Sequence, residues 1–166
     1  MSLSTDAGLS APTLNEAIEF IWTEADLLDA KDYREWLTLW RQDGIYVVPI
    51  DPATEDFEAQ LNYAYDDAEM RLARVNRLMG GSSMSAVAAP RTVRTVSRFR
   101  RLGGEGARLQ VRCAQLLVEH KRDVERCYAA DVTYDLVREE QGLKLARKVV
   151  RLVNAAEALA GIAYLL

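Results

Sequence analysis

An α+β fold is predicted by three observations. Apolar residues recur at helical spacing from Leu14 to Leu28, then give way to β-rich runs from Ile45 and again from Arg91 onward. Glycine-rich and acidic turn clusters separate the later runs. No strand–helix–strand alternation appears, so the sheet is expected to be mostly antiparallel, not the parallel kind built from βαβ units.

Each element has its own signal. Residues 1–12 are small and polar and read as a flexible N-terminal tail, leaving 13–166 as a single domain. Thr13 stands three residues before Glu16, the spacing of a helix capping box. Leu14, Ile18, Ile21, Ala25 and Leu28 then form one helical stripe. Asp32 with Glu35 repeats the capping signal, and Tyr33, Trp36, Leu37 and Trp40 predict a short aromatic helix stopped by Gly44. Ile45-Tyr46-Val47-Val48-Pro49 reads as a strand closed by proline. The stretch 51–69 holds seven acidic residues and no basic one. It reads as a loop leading to a third helix, with Asp66 as N-cap, Glu69 completing the box, and Ala68, Leu72, Val75 and Met79 as the buried stripe. Gly80-Gly81-Ser82-Ser83 ends that helix and Pro90 opens the next element.

The remainder reads as long strands. Arg91–Leu102 alternates Val93, Thr95, Ser97 and Phe99 against Arg94, Val96, Arg98 and Arg100. Gly103-Gly104-Glu105-Gly106 turns the chain into Arg108–Val118; Val124–Arg138 and Leu143–Val153 follow, divided by Glu139–Gly142. Leu109, Val111 and Cys113, with Val132, Tyr134 and Leu136, give inward faces. N-terminal helices packed on a long antiparallel sheet predict a cystatin-like (nuclear-transport-factor-like) cone, its sheet strongly curved around the helices.

Composition excludes several chemistries. With 21 Lys+Arg against 25 Asp+Glu the net charge is −4, unlike a general nucleic-acid binder. No apolar run approaches the ~20 residues that span a bilayer, and the N-terminus lacks the pattern of a secretory signal, so a cytoplasmic chain without membrane contact is expected. Two cysteines and one histidine are too few for a four-ligand zinc site, for an iron–sulfur cluster or for a two-His facial triad.

Six strings in fixed order then narrow the reading: LLDAKDYREWLTLW (27–40), DGIYVVPIDP (43–52), YDD (65–67), RVNRL (74–78), APRTVRTVS (89–97) and RLVNA (151–155). Together the set resembles the small (β) subunit of aromatic-ring-hydroxylating (Rieske non-haem iron) dioxygenases, from about Leu14 to the C-terminus. The resemblance implies a non-catalytic assembly subunit, inactive as an isolated chain and without a cofactor of its own. The Rieske 2Fe-2S cluster and mononuclear Fe(II) are implied for a large (α) subunit that cis-dihydroxylates an arene with electrons from NAD(P)H. It also implies a homotrimer of this chain within a 3+3 hexamer.

Several residues carry candidate roles. The resemblance makes Arg74 and Arg77 candidates for salt links within or between subunits. Arg91, Arg94 and Arg98 join them as a candidate interface, since this basic strand could face the acidic 51–69 stretch of a neighbouring copy. The alternative is a stand-alone cone-fold dehydratase or isomerase, with Tyr63, Tyr65, Asp66 and Asp67 as a donor–carboxylate pocket. A third reading is a small-molecule binding module. Asp66 or Asp67 aimed into a closed pocket favours the alternative; either one capping a helix favours assembly. Trp36 and Trp40 are expected to pack helices on the sheet, Cys113 to lie in the core, and His120 to sit at a solvated strand end. The apolar segment Ala155–Leu166 is expected to pack into the sheet or a neighbour.

Overall fold

The computed structural model of the chain describes residues 8–80, 90–155 and 164–166. In chain order these form α1 (Leu14–Asp29), α2 (Tyr33–Thr38), β1 (Trp40–Pro49), β2 (Asn62–Asp66), α3 (Ala68–Gly80), β3 (Arg91–Gly103), β4 (Arg108–Lys121), β5 (Val124–Glu139) and β6 (Gly142–Leu152). Residues 1–7 of the expected tail, the turn residues that follow Gly80, and 156–163 of the apolar C-terminal segment lie outside the described residues.

The N-terminal capping box forms as its spacing requires: Thr13 Oγ1 accepts from the Glu16 amide at 3.2 Å, and Glu16 Oε2 accepts from the Thr13 amide at 2.7 Å. Ile21, Ala25 and Leu28 of the stripe are buried, and Leu14 and Ile18 half-buried. Glu24 lies buried on the same face. Asp32 caps α2 through the Glu35 amide at 3.3 Å. That helix is shorter than expected, because Trp40 and Gly44 belong to β1. Gly44 is held there by close approach: a Cβ would come within 2.8 Å of the Leu145 main-chain oxygen and 2.9 Å of the Trp40 ring. The Trp36, Trp40 and Tyr46 rings pack edge to face, with centroids 5.4 to 6.2 Å apart.

The sheet has six strands in the order β2-β1-β6-β5-β4-β3. It is mixed: β1 runs parallel to β6, and the other neighbours are antiparallel. The strongly curved cone expected from sequence is not what forms. The sheet is open, with β2 and β3 as separate edges. Two features explain this. The longest ladder, β4 with β5, pairs from Arg108↔Val137 to Lys121↔Val124 without a register shift, so it lacks the bulges that bend sheets sharply. In addition α1 is tied to the β3 edge, Trp22 Nε1 donating to the Val96 carbonyl at 3.1 Å and Asp29 accepting from the Arg94 amide at 2.8 Å.

Part of the acidic stretch is strand: β2 pairs with β1 from Tyr46↔Asp66 to Pro49↔Asn62. Asp66 therefore ends a strand, and Asp67 caps α3, accepting from the Met70 amide at 3.0 Å. The face of α3 is also rotated from the expected one, since Arg71 and Val75 are buried while Leu72 and Met79 are exposed. On β3, Arg94 and Val96 point inward and Val93 outward. Leu109, Val111, Cys113, Val132, Tyr134 and Leu136 are buried as expected, and the last residues, Tyr164, Leu165 and Leu166, are buried with them.

Candidate functional site

In a fold of this type a ligand would sit between the helices and the sheet. Among the described residues, large buried side chains occupy that space. Trp36, Tyr46 and Tyr134 occupy its centre, together with a buried ion pair between Glu24 of α1 and Lys148 of β6 at 2.8 Å. Glu24 is fully engaged: Trp36 Nε1 donates to one carboxylate oxygen at 3.0 Å and the Tyr134 hydroxyl to the other at 2.8 Å. Burial lowers the Lys148 ammonium from its usual range, and the Glu24 carboxylate opposes that shift. Burial likewise raises the Tyr46 and Tyr134 hydroxyls, so both stay protonated donors. A network with its lone pairs and protons satisfied inside an apolar core fixes packing; it offers no free base.

The four residues of the alternative pocket are not brought together as a reactive group. Asp66 is buried, and Arg74 Nε and Nη2 reach its two oxygens at 2.5 and 3.1 Å. That contact raises the Arg74 guanidinium. Asp67 caps α3. The Tyr65 hydroxyl donates to Glu58 at 3.1 Å, and the Tyr63 ring lies beneath the Arg74 guanidinium at 5.7 Å. Tyr63, Arg74 and Arg77 border an open surface cleft with Leu78 and Tyr164. The donor–carboxylate arrangement that a dehydratase needs is therefore spent on an ion pair and a helix cap.

The remaining candidates fall outside any reactive cluster. Cys113 is buried and its thiol is pushed up to about 12 by desolvation. Cys127 is exposed, and His120 lies exposed 3.8 Å from Glu125. Among the described residues no group of three or more His, Cys, Asp or Glu side chains is placed to hold a metal ion. Of the arginines proposed for an interface, Arg94 is buried and bonded to Asp29 and the Leu165 main-chain oxygen; Arg91, Arg98 and Arg77 are exposed.

The sheet's outer face is divided. Over β1 and β6 it is covered by the acidic loop, whose Phe57 packs on Val47 and Val149 beneath the Arg147 and Arg151 guanidiniums. Across β3, β4 and β5 it presents the rows Val93–Val118–Cys127 and Thr95–Leu116–Ala129. Val93, Leu116 and Val118 there are 65%, 48% and 44% exposed.

The sequence profile described as the ring hydroxylating beta subunit matches residues 23–156. The chain belongs to that family. This β subunit is 30% identical over 138 residues to the small oxygenase component of the p-cumate 2,3-dioxygenase system of Pseudomonas putida, covering 82% of this chain and 77% of that protein. Its fold matches the β subunit of benzoate 1,2-dioxygenase from Burkholderia mallei at a TM-score of 0.80, with 22% identity, over 95% of this chain and 100% of that one. An NTF2-like protein with a cystatin-like fold from Novosphingobium aromaticivorans matches at 0.63 with 20% identity, over 89% of this chain and 88% of that chain. The β subunit thus keeps the cystatin-like plan in a mixed, open sheet. It is a non-catalytic small subunit of a ring-hydroxylating dioxygenase system. The donor set here does not fit a Rieske cluster or a two-His iron site, so no step of the oxygenase reaction is assigned to these residues.

Sequence reasoning missed Glu24 and Lys148. The signal was present: Glu24 shares the α1 stripe with Ile21 and Leu28, and Lys148 shares a strand face with Val150 and Leu152. Opposite charges on two apolar faces mark a buried pair.

Proposed function

We propose that this chain is the assembly subunit of a three-plus-three dioxygenase, a homotrimer that carries three large subunits holding the Rieske cluster and the mononuclear iron. The observation that carries this reading is the contrast between an interior occupied, among the described residues, by large side chains and the exposed apolar rows Val93–Val118 and Thr95–Leu116 on the outer face of β3–β5, beside the Arg112–Asp131 ion pair. The exposed basic strand, with Arg91 and Arg98, and the acidic loop lie at opposite margins of that sheet face. A surface with unlike margins suits head-to-tail contacts that close into a ring. Charge pairing at the margins would set register, and the apolar rows would supply the buried area. Arg77, on the exposed side of α3, is proposed for a contact with the large subunit. The contribution to catalysis is positional, through the spacing of metal centres on different large subunits. A cytoplasmic complex is the setting proposed. Because p-cumate and benzoate, in the names of two relatives, are both aromatic acids, such acids are the first substrates to screen.

Co-expression with a large subunit of a ring-hydroxylating dioxygenase, followed by light scattering and iron analysis, tests the proposal. The expected result is a 3:3 complex with its iron in the large subunit. Leu116→Asp with Val118→Asp should dissociate the trimer, and Arg91→Glu with Arg98→Glu should weaken it. Arg94 is left unchanged, because its reversal would break the Asp29 contact inside one chain. An assembly unchanged by both double variants would reject this face as the interface.

A further inference from the structure

We propose that Arg100 and Arg112 form a clamp for the Asp56 and Glu58 carboxylates on the acidic loop of a second copy of this chain. The inference rests on the assembly reading above and assigns its ionic contact to particular residues. An irregularity in β3 builds the clamp. Unbroken alternation would put Arg98 and Arg100 on the inner face with Arg94 and Val96. Instead Ser97 pairs with Ala114 and Arg100 with Arg112, so β3 carries one residue more than β4 across this interval. Arg98 takes up the extra residue at a φ of 55°, a backbone region that favours glycine. Beyond it the two faces exchange. Phe99 packs against the core and edge to face on Trp22, with centroids 5.8 Å apart. Arg100 moves to the outer face, directly across from Arg112.

Like charges directly opposite one another on a sheet repel. Arg112 has a carboxylate of its own, its Nε donating to Asp131 at 2.8 Å. Arg100 and Arg98 are exposed, and among the described residues no carboxylate pairs with either. Two guanidiniums against one acid leave this spot positive. A carboxylate from outside relieves the repulsion and gains charge-assisted bonds. The acidic loop has the opposite imbalance. Phe57 pins it on Val47 and Val149, while the flanking Asp56 and Glu58 are exposed. Among the described residues Asp56 accepts from the Ala59 amide at 3.2 Å and Glu58 from the Tyr65 hydroxyl at 3.1 Å, and neither meets a cation. Within one chain the loop reaches the sheet through Glu55, which meets Arg151 at 3.1 Å, and no ion pair among the described residues joins it to β3. A head-to-tail neighbour would bring the loop of one copy to β3 of the next. Arg100 shares its face with the Thr95–Leu116 row, so the ionic contact continues the apolar one and sets its register.

The test uses the complex formed with a co-expressed large subunit, followed by light scattering on dilution. Arg100→Glu should raise the concentration of half-dissociation by about tenfold or more. Arg101→Glu is the control. It makes the same change of charge one residue on, where pairing with the buried Val111 sets it on the opposite face, and it should shift that concentration by less than about threefold. Asp56→Arg with Glu58→Arg should weaken assembly as Arg100→Glu does. Combining all three substitutions should bring it back to within about threefold of the unsubstituted complex. Equal effects of Arg100→Glu and Arg101→Glu, or no recovery in the combined variant, would overturn the clamp. So would an assembly unchanged by Arg100→Glu. If Leu116→Asp with Val118→Asp still dissociates that assembly, the outer-face interface stands without the clamp; if it does not, both readings fall. Folding is read separately in the dissociated Leu116→Asp, Val118→Asp background. There Arg100→Glu should leave the melting temperature unchanged or raise it, since it removes the like-charge neighbour of Arg112. A fall would make Arg100 a structural residue of its own chain and reject the clamp.

Discussion

Lys148 and Glu24 are buried beside each other, and neither can lose its partner cheaply. Removing the cation alone, as in Lys148→Met, leaves the Glu24 carboxylate in an apolar interior with two neutral donors. A buried pair broken this way typically costs about 3–5 kcal/mol, whereas replacing both charges by neutral groups is often near neutral. We expect Lys148→Met to lose stability on that order in urea unfolding, and Glu24→Gln with Lys148→Met to recover part of the loss. A double variant no more stable than Lys148→Met would mean that the lone carboxylate is not the source of the cost. Arg71 is a related case without a carboxylate. Its guanidinium stacks on Trp40 at 4.3 Å and donates to the main-chain oxygens of Gly44, Asp66 and Arg41. It acts as a splint between α3 and the β1–β2 pair.

At the scale of elements, the start of α1 is fastened to β5. Arg138 Nη2 meets Glu16 at 2.7 Å while Arg138 Nε donates to the Ser10 carbonyl at 2.9 Å. The Arg138 guanidinium, helped by Thr13, holds the Glu16 carboxyl down at about 2 from an ordinary 4.5. A carboxyl lowered in the folded state adds stability above its unfolded pKa and loses it as pH falls toward the folded one. The fastening should therefore weaken between about pH 4.5 and pH 2. Arg138→Met should return Glu16 toward its ordinary titration by NMR and move acid unfolding to higher pH; a wild-type Glu16 that already titrates normally would count against the contact. The Thr13–Glu16 capping box, the Asp32 cap and the alternating strands were readable because each depends on residues close in sequence. Other features were not. β2 was hidden because Asn62–Asp66 carries its strand identity through pairing with β1, and its acidic end reads as a cap. The β4–β5 turn escaped notice because Arg122 and Asp123, not Asn-Gly, take the positive φ values of 51° and 60°. The cone's curvature depends on how long ladders meet, which no local pattern records. The buried pair, Glu24 and Lys148, is distant in sequence and meets only once α1 packs over β6.

For the whole molecule, the two cysteines report on folding and on assembly separately. Cys113 is buried with its thiol pushed up to about 12, so a thiol reagent at pH 8 should reach it only in the unfolded chain. Cys127 is exposed and sits opposite Val118 on the outer face of the sheet. If copies of this chain meet on that face, assembly removes Cys127 from solvent while leaving its own fold unchanged. The Leu116→Asp and Val118→Asp variant should then react at one thiol in the native state and two in urea. The assembled wild-type complex should react far more slowly at Cys127, with the rate rising on dilution toward dissociation. Equal rates in the complex and in the dissociated variant would place the contact elsewhere on the molecule. In that case the exposed side of α3, where Arg77 lies, becomes the candidate contact surface.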